Sequence, residues 1–123
     1  QATPTTDRLY SEALAEQKNA AAAAALSAQA ALAGGSYEAR WYCEAYNDAA
    51  DGLKIGARIV VTVDGVQVGG GFVANDQYTA VSGFARLVVK EAAAPVFAVT
   101  YEPIGGLGMA FIRNVRLAVS AAL

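Results

Sequence analysis

Histidine is missing from all 123 residues. With it go the commonest general acid or base, the commonest metal ligand and every Ser-His or Cys-His nucleophile arrangement. Cysteine is nearly missing too. The lone Cys43 has no partner for an intramolecular disulfide, and it reads as a small, inert core hydrophobe. Only 16% of residues are charged, and the 9 basic side chains are dispersed among 11 acidic ones. That excludes an electrostatically driven nucleic-acid binder, which needs a basic stripe to neutralise phosphates. No long hydrophobic run is present either. The most apolar stretch, Ala20 to Ala33, falls short of the roughly 20 residues that cross a bilayer, so membrane insertion is not expected. What the chain has instead is apolar character, 55% hydrophobic, much of it alanine. Such a composition favours a partner surface over a free monomer.

From about Arg8 to Ala33 there is no Pro or Gly, and Ala, Leu, Glu, Gln and Lys dominate. These are the best helix formers, so composition predicts a long alanine-rich helix, about 40 Å in length, capped by Thr6 or Asp7 and stopped at Gly34-Gly35. A weak heptad frame places Leu14, Ala21 and Ala28 at one core position and Ala24 at the other, with Gln17 and Ala31. This divides the chain into an arm and helix over 1–35, for attachment or coiled-coil bundling, and a β domain over 36–123. Packing of the helix against its own domain is the remaining possibility.

Strands are expected after that. Tyr37, Ala39, Trp41, Cys43 and Ala45 alternate with Glu38, Arg40, Tyr42, Glu44 and Tyr46, a period of two that favours a strand, although a helix pairing Tyr37 with Trp41 also fits. Residues 57–68 form a hairpin with Asp64-Gly65 as its two-residue turn. Further short strands follow without helical interruption, the pattern of an antiparallel sandwich or barrel. The closing stretch poses a problem. One row, Met109, Phe111, Arg113, Val115, Leu117 and Val119, is core-like except for Arg113. The other, Ala110, Ile112, Asn114, Arg116, Ala118, Ser120 and Ala122, carries little charge. Neither resembles the solvated face of a sheet, and Arg113-Asn114 fits a bulge that breaks the alternation.

The stretches Val96-Phe97-Ala98-Val99-Thr100-Tyr101, Gly105-Gly106-Leu107-Gly108 and Ile112-Arg113-Asn114-Val115-Arg116-Leu117 resemble the end of small jelly-roll modules in bacteriophage virion proteins of head-decoration or fibre type. Those modules are similar in plan to the trimeric heads of complement and tumour-necrosis-factor-like proteins. The match spans about 40 residues, with Val115 where a small residue is usual. The resemblance implies a jelly roll and a homotrimer located in the virion, with capsid or tail protein as partner. Ala110, Ile112, Ala118 and Ala122 would then pack between subunits. Tyr42 and Tyr46, beside Arg40 and Glu44, are candidates for a glycan- or receptor-binding surface, the rival function; a cellular adhesin-type module is the third.

No motif for catalysis, cofactor or metal emerges. Asp48 with Asp51 is conceivable as a carboxylate pair, but both sit in a turn sequence. If a hard cation were bound, Asp48, Asp51 and Asp76 are the acids to hold it. If assembly depended on pH, Glu44 and Glu102, flanked by apolar and aromatic residues, are the carboxylates to suspect of a raised pKa.

Overall fold

A computed structural model describes residues 7–49 and 56–122. Nine strands are found there: β1 (Asp7–Ala13), β2 (Gln17–Asn19), β3 (Ala23–Gln29), β4 (Gly35–Asn47), β5 (Ala57–Val63), β6 (Val66–Val73), β7 (Thr79–Val89), β8 (Val96–Pro103) and β9 (Ala110–Ala121). The only helical element among the described residues is a 3-10 turn at Ile104–Gly106. Sheet A runs β1-β9-β4-β7, with the short β2 also on β9, and sheet B runs β3-β8-β5-β6. Every pairing is antiparallel. Counting β1 and β2 as one interrupted strand, this is the strand order of a double-sheet jelly roll.

The long N-terminal helix is not there. In its place the stretch supplies β1 and β2 to sheet A and β3 to sheet B. Its composition favours helix, but propensity is a weak prior that tertiary pairing overrides. Here the pairing covers the hydrogen-bonding edges of β9 and β8, which would otherwise lie open. β1 has the alternation that a strand needs: Leu9, Ser11 and Ala13 turn toward the core, while Arg8, Tyr10 and Glu12 face solvent. In β3 a register shift between Ala24 and Leu26 turns both Ala25 and Leu26 inward. The heptad positions consequently scatter. Leu14 and Ala21 lie in exposed connections, Ala24 is exposed on β3 and Ala28 is half-buried. Of the two proposed caps, Asp7 starts β1 and Thr6 lies outside the described residues, as does Asp51. Residues 7–29 thus contribute strands to both sheets.

The strand alternative for 37–46 is the one realised, as β4, with Trp41 and Cys43 inward. The Asp64-Gly65 hairpin also forms. Asp64 (φ 51°) and Gly65 (φ 83°) both take positive φ, as a tight two-residue hairpin turn requires. Asp64 clips the turn to β8: its amide donates to the Val96 carbonyl, and its Oδ1 accepts from the Val96 amide, both at 2.8 Å.

A bulge resolves the problem of the closing strand. Tyr42 pairs with Arg116 but Glu44 with Arg113, so Asn114 and Val115 together stand opposite Cys43, and Asn114 has φ 53°. One extra residue reverses which parity faces inward. Before the bulge, Ala110 and Ile112 are buried; after it, Val115, Leu117 and Val119 are. Ala110 and Ile112, expected between subunits, are therefore in the chain's own core, fully excluded from solvent. Ala118 lies on the outer face of sheet A. Ala122 is half-buried, with its amide donating to the Ser36 carbonyl at 2.9 Å.

Candidate binding faces

The outward side chains of sheet A are set by strand register. Four rows cross the sheet: Asp7, Ser120, Glu38 and Arg86; then Tyr10, Ala118, Arg40 and Phe84; then Glu12, Arg116, Tyr42 and Ser82; then Arg113, Glu44 and Ala80. At the end of the sheet Lys18, Phe111 and Tyr46 make a further row. This face is therefore an aromatic and charged lattice.

Half of it is internally satisfied. Tyr46 stacks on Phe111 with ring centroids 4.5 Å apart, and meets Tyr78 edge-on at 4.6 Å. The Arg113 guanidinium lies 3.8 Å over the Tyr78 ring, and the Tyr78 hydroxyl donates to Glu16. Burial, together with that carboxylate, raises the Tyr78 pKa. Tyr46, one of the two candidates for ligand contact, thus has its ring faces engaged within the chain.

Glu44 is the electrostatic hub. Its carboxylate accepts from the Tyr42 hydroxyl at 2.6 Å, Arg113 Nε at 2.7 Å and Asn114 Nδ2 at 3.1 Å. These donors, the Tyr42 hydroxyl first, pull its pKa down to about 2, the opposite of the expected rise. Because the folded value lies below that of an unfolded glutamate, near 4.3, the stabilisation is present above that pH and fades as the pH falls toward 2. Glu44→Gln should flatten the decline of melting temperature between about pH 4.5 and 2, measured by circular dichroism. Glu102, the other suspected carboxylate, sits on the outer face of sheet B, 3.9 Å from Arg58. Burial pushes the Cys43 thiol up to about 12. Asp48 caps a loop, with its Oδ1 accepting from the Met109 amide at 2.9 Å; Asp51, its suggested partner, lies outside the described residues. Asp76 is exposed.

The other half of the face is open. Tyr10, Arg40, Tyr42, Arg116 and Ala118 line a shallow depression of about 160 Å³. The half-buried Ala118 sits among the larger side chains. Tyr10 donates its hydroxyl to Glu12 at 2.9 Å as Tyr42 does to Glu44. Each of these bonds is the main cause that raises its tyrosine's pKa. Of the sequence candidates, Tyr42 and Ala118 meet here. Tyr10 and Arg116 were missed, Tyr10 because its segment was read as helix. The alternation of Arg8, Tyr10 and Glu12 with Leu9, Ser11 and Ala13 was the available signal.

Sheet B presents a different outer face. Its rows are Ala24, Thr100, Val60 and Gly70; then Ser27, Ala98, Thr62 and Gln67. Apart from Gln67 these are small or β-branched side chains, and none is charged. Among the described residues, Arg58 and Glu102 are ionised and adjacent at one end beside the exposed Phe72, and the exposed Asp64 lies at the other end, against Val96.

No family model and no curated protein matches the chain. Solved structures do. The insecticidal delta-endotoxin Cry8Ea1 from Bacillus thuringiensis superposes with a TM-score of 0.51 at 10% identity, over 88% of this chain and 20% of that one. The C-terminal domain of the sugar-binding protein EclA gives 0.48 at 13%, covering 95% and 82%. The VP2 subviral particle of infectious bursal disease virus gives 0.45 at 12%, covering 94% and 37%. At these identities the endotoxin match shows the β-sandwich fold alone, and the two below 0.5 add nothing to it. The chain is a two-sheet β-sandwich, an architecture shared by binding and structural modules.

Proposed function

We propose that this chain is a non-enzymatic structural subunit of a bacteriophage particle, a decoration or fibre module that assembles as a homotrimer through the outer face of sheet B. The observation that carries the assembly is the lack of charge across that face. An outer face of Ala24, Ser27, Val60, Thr62, Ala98 and Thr100 lacks the charges with which a solvated sheet usually meets water. Small side chains leave it flat enough for another backbone to approach closely. The occupant is further copies of the same chain. The neighbouring Arg58 and Glu102 offer opposite charges that can meet head to tail, the arginine of one copy against the glutamate of the next, around a three-fold axis. Ala24 was already among the candidate interface residues, though for a helix seam. The location in a phage particle rests on the resemblance carried by residues 96–101 and 112–117.

Light scattering on the wild type and on Ala98→Glu tests the assembly. The wild type is expected at three times its 12.6 kDa chain mass. The variant should be a monomer with unchanged strand signal, because a carboxylate held in a dry contact without a partner is costly. A wild-type monomer at micromolar concentration, or an Ala98→Glu trimer, would overturn the assembly. Failure of the trimer to co-sediment with phage capsids or tails would remove the particle assignment.

A further inference from the structure

We infer that the depression on the outer face of sheet A is a binding site for an acidic sugar, with Arg116 receiving its carboxylate. This goes beyond the assembly reading and involves the opposite sheet.

Charge pairing across the face points to Arg116. Arg40 is 2.8 Å from Asp7 and 4.0 Å from Glu38, and Arg113 is 2.7 Å from Glu44. Arg116 is exposed and has no carboxylate within 4 Å among the described residues. The nearest acids in the lattice are already engaged: Glu12, its partner in register on β1, accepts from Tyr10, and Glu44 has three donors. What Arg116 has instead is an aromatic setting. Its guanidinium carbon lies 5.7 Å from the Tyr42 ring centroid, and the Tyr10 hydroxyl is close enough to interact with it. A guanidinium presents a planar fork of donors that matches a carboxylate.

The rest of the depression suits a saccharide ring. It offers about 160 Å³ and is open to solvent, so a sugar can enter with most of its hydroxyls still hydrated. Ala118 contributes only a methyl group, so a pyranose ring has room to settle beside it. Tyr10 is 52% exposed, and the negative face of its ring attracts the polarised C–H bonds of a pyranose. The Tyr42 hydroxyl spends its proton on Glu44, which leaves its oxygen as an acceptor for a sugar hydroxyl, whereas the Tyr10 hydroxyl, which donates to Glu12, also interacts with Arg116 and helps to hold that guanidinium in place. Arg40 borders the same space. A uronic acid combines these features: one carboxylate, several hydroxyls and an apolar C–H face.

Calorimetric titration of the full chain with tri-galacturonate, and with its methyl ester, tests the site. The acid is expected to bind, and the ester about tenfold or more weakly, because the charge-assisted bonds to Arg116 are lost. Arg116→Gln should lose the same factor and no longer distinguish acid from ester. Its melting temperature should stay at the wild-type value. Arg86→Gln, an exposed residue on β7 of the same sheet, should bind as wild type does. Equal affinity for acid and ester, no effect of Arg116→Gln, or an equal loss in Arg86→Gln would overturn the site. So would displacement by inorganic phosphate at the same concentration, which would make it an anion site without sugar recognition. The trimer is judged separately, by mass, and Arg116→Gln should leave that mass unchanged.

Discussion

Trp41→Ala is expected to destabilise the fold by about 3–5 kcal/mol, the range for deleting a large aromatic side chain from a packed core, read as a drop in denaturant midpoint. Trp41 points inward from β4 and is 6% exposed. Its six-membered ring occupies space that two glycines leave open. A Cβ on Gly69 of β6 would stand 2.4 Å from both Cη2 and Cζ2, and one on Gly83 of β7 would stand 2.8 Å from Cζ2. The indole therefore bridges the two sheets where β6 approaches β7, seated against bare backbone on either side. It follows that Gly69→Val should also destabilise, by about 1–3 kcal/mol from overpacking. The two effects should not add. In the Trp41→Leu background the ring is gone, and Gly69→Ala should cost much less than in the wild type. An additive pair of substitutions would mean that Gly69 matters for its backbone alone and that no such seat exists.

Ile112→Glu should leave no cooperatively folded chain. Ile112 has no exposed surface and stands opposite Ala45 on one side and Gln17 on the other. An ionised carboxylate there would be desolvated without a partner, one of the mechanisms behind losses above about 4–5 kcal/mol. Domains of this kind are held by only about 5–15 kcal/mol in total. Far-ultraviolet circular dichroism with a thermal melt reads the outcome. The contrast with Ala98→Glu is the informative part: the same added charge on the outer face of sheet B should change mass and leave the fold intact. A folded Ile112→Glu variant would mean that the first half of β9 turns outward, and the bulge at Asn114 would be wrong.

The exclusions came from composition alone, because the absence of histidine and the single cysteine are properties of the list of residues and not of their arrangement. The Asp64-Gly65 hairpin was legible for a related reason: both residues tolerate positive φ, and the turn is decided by its own two positions. Strand β4 was favoured because its aromatics suit strands, its residues 37–46 alternate with a period of two, and residues 47–52 read as a turn. The N-terminal third was misread because its evidence was local. Alanine-rich sequence favours helix when isolated, whereas β1, β2 and β3 are strands only because β9 and β8 offer them open edges. The alternation over Arg8–Ala13 was compatible with a strand, but nothing within Arg8–Ala33 records those edges. The parity of β9 was beyond sequence in the same way. Arg113-Asn114 advertised a bulge, but one inserted residue exchanges the buried and exposed rows, and only the register with β4 fixes which row is inside before it. That reversal sent Ala110 and Ile112 to the core and left Ala118 outside. It also brought Tyr10 of β1, Tyr42 of β4 and Arg116 of β9 around one depression, three residues joined by no spacing rule, since strands distant in the chain become neighbours only when the sheet closes.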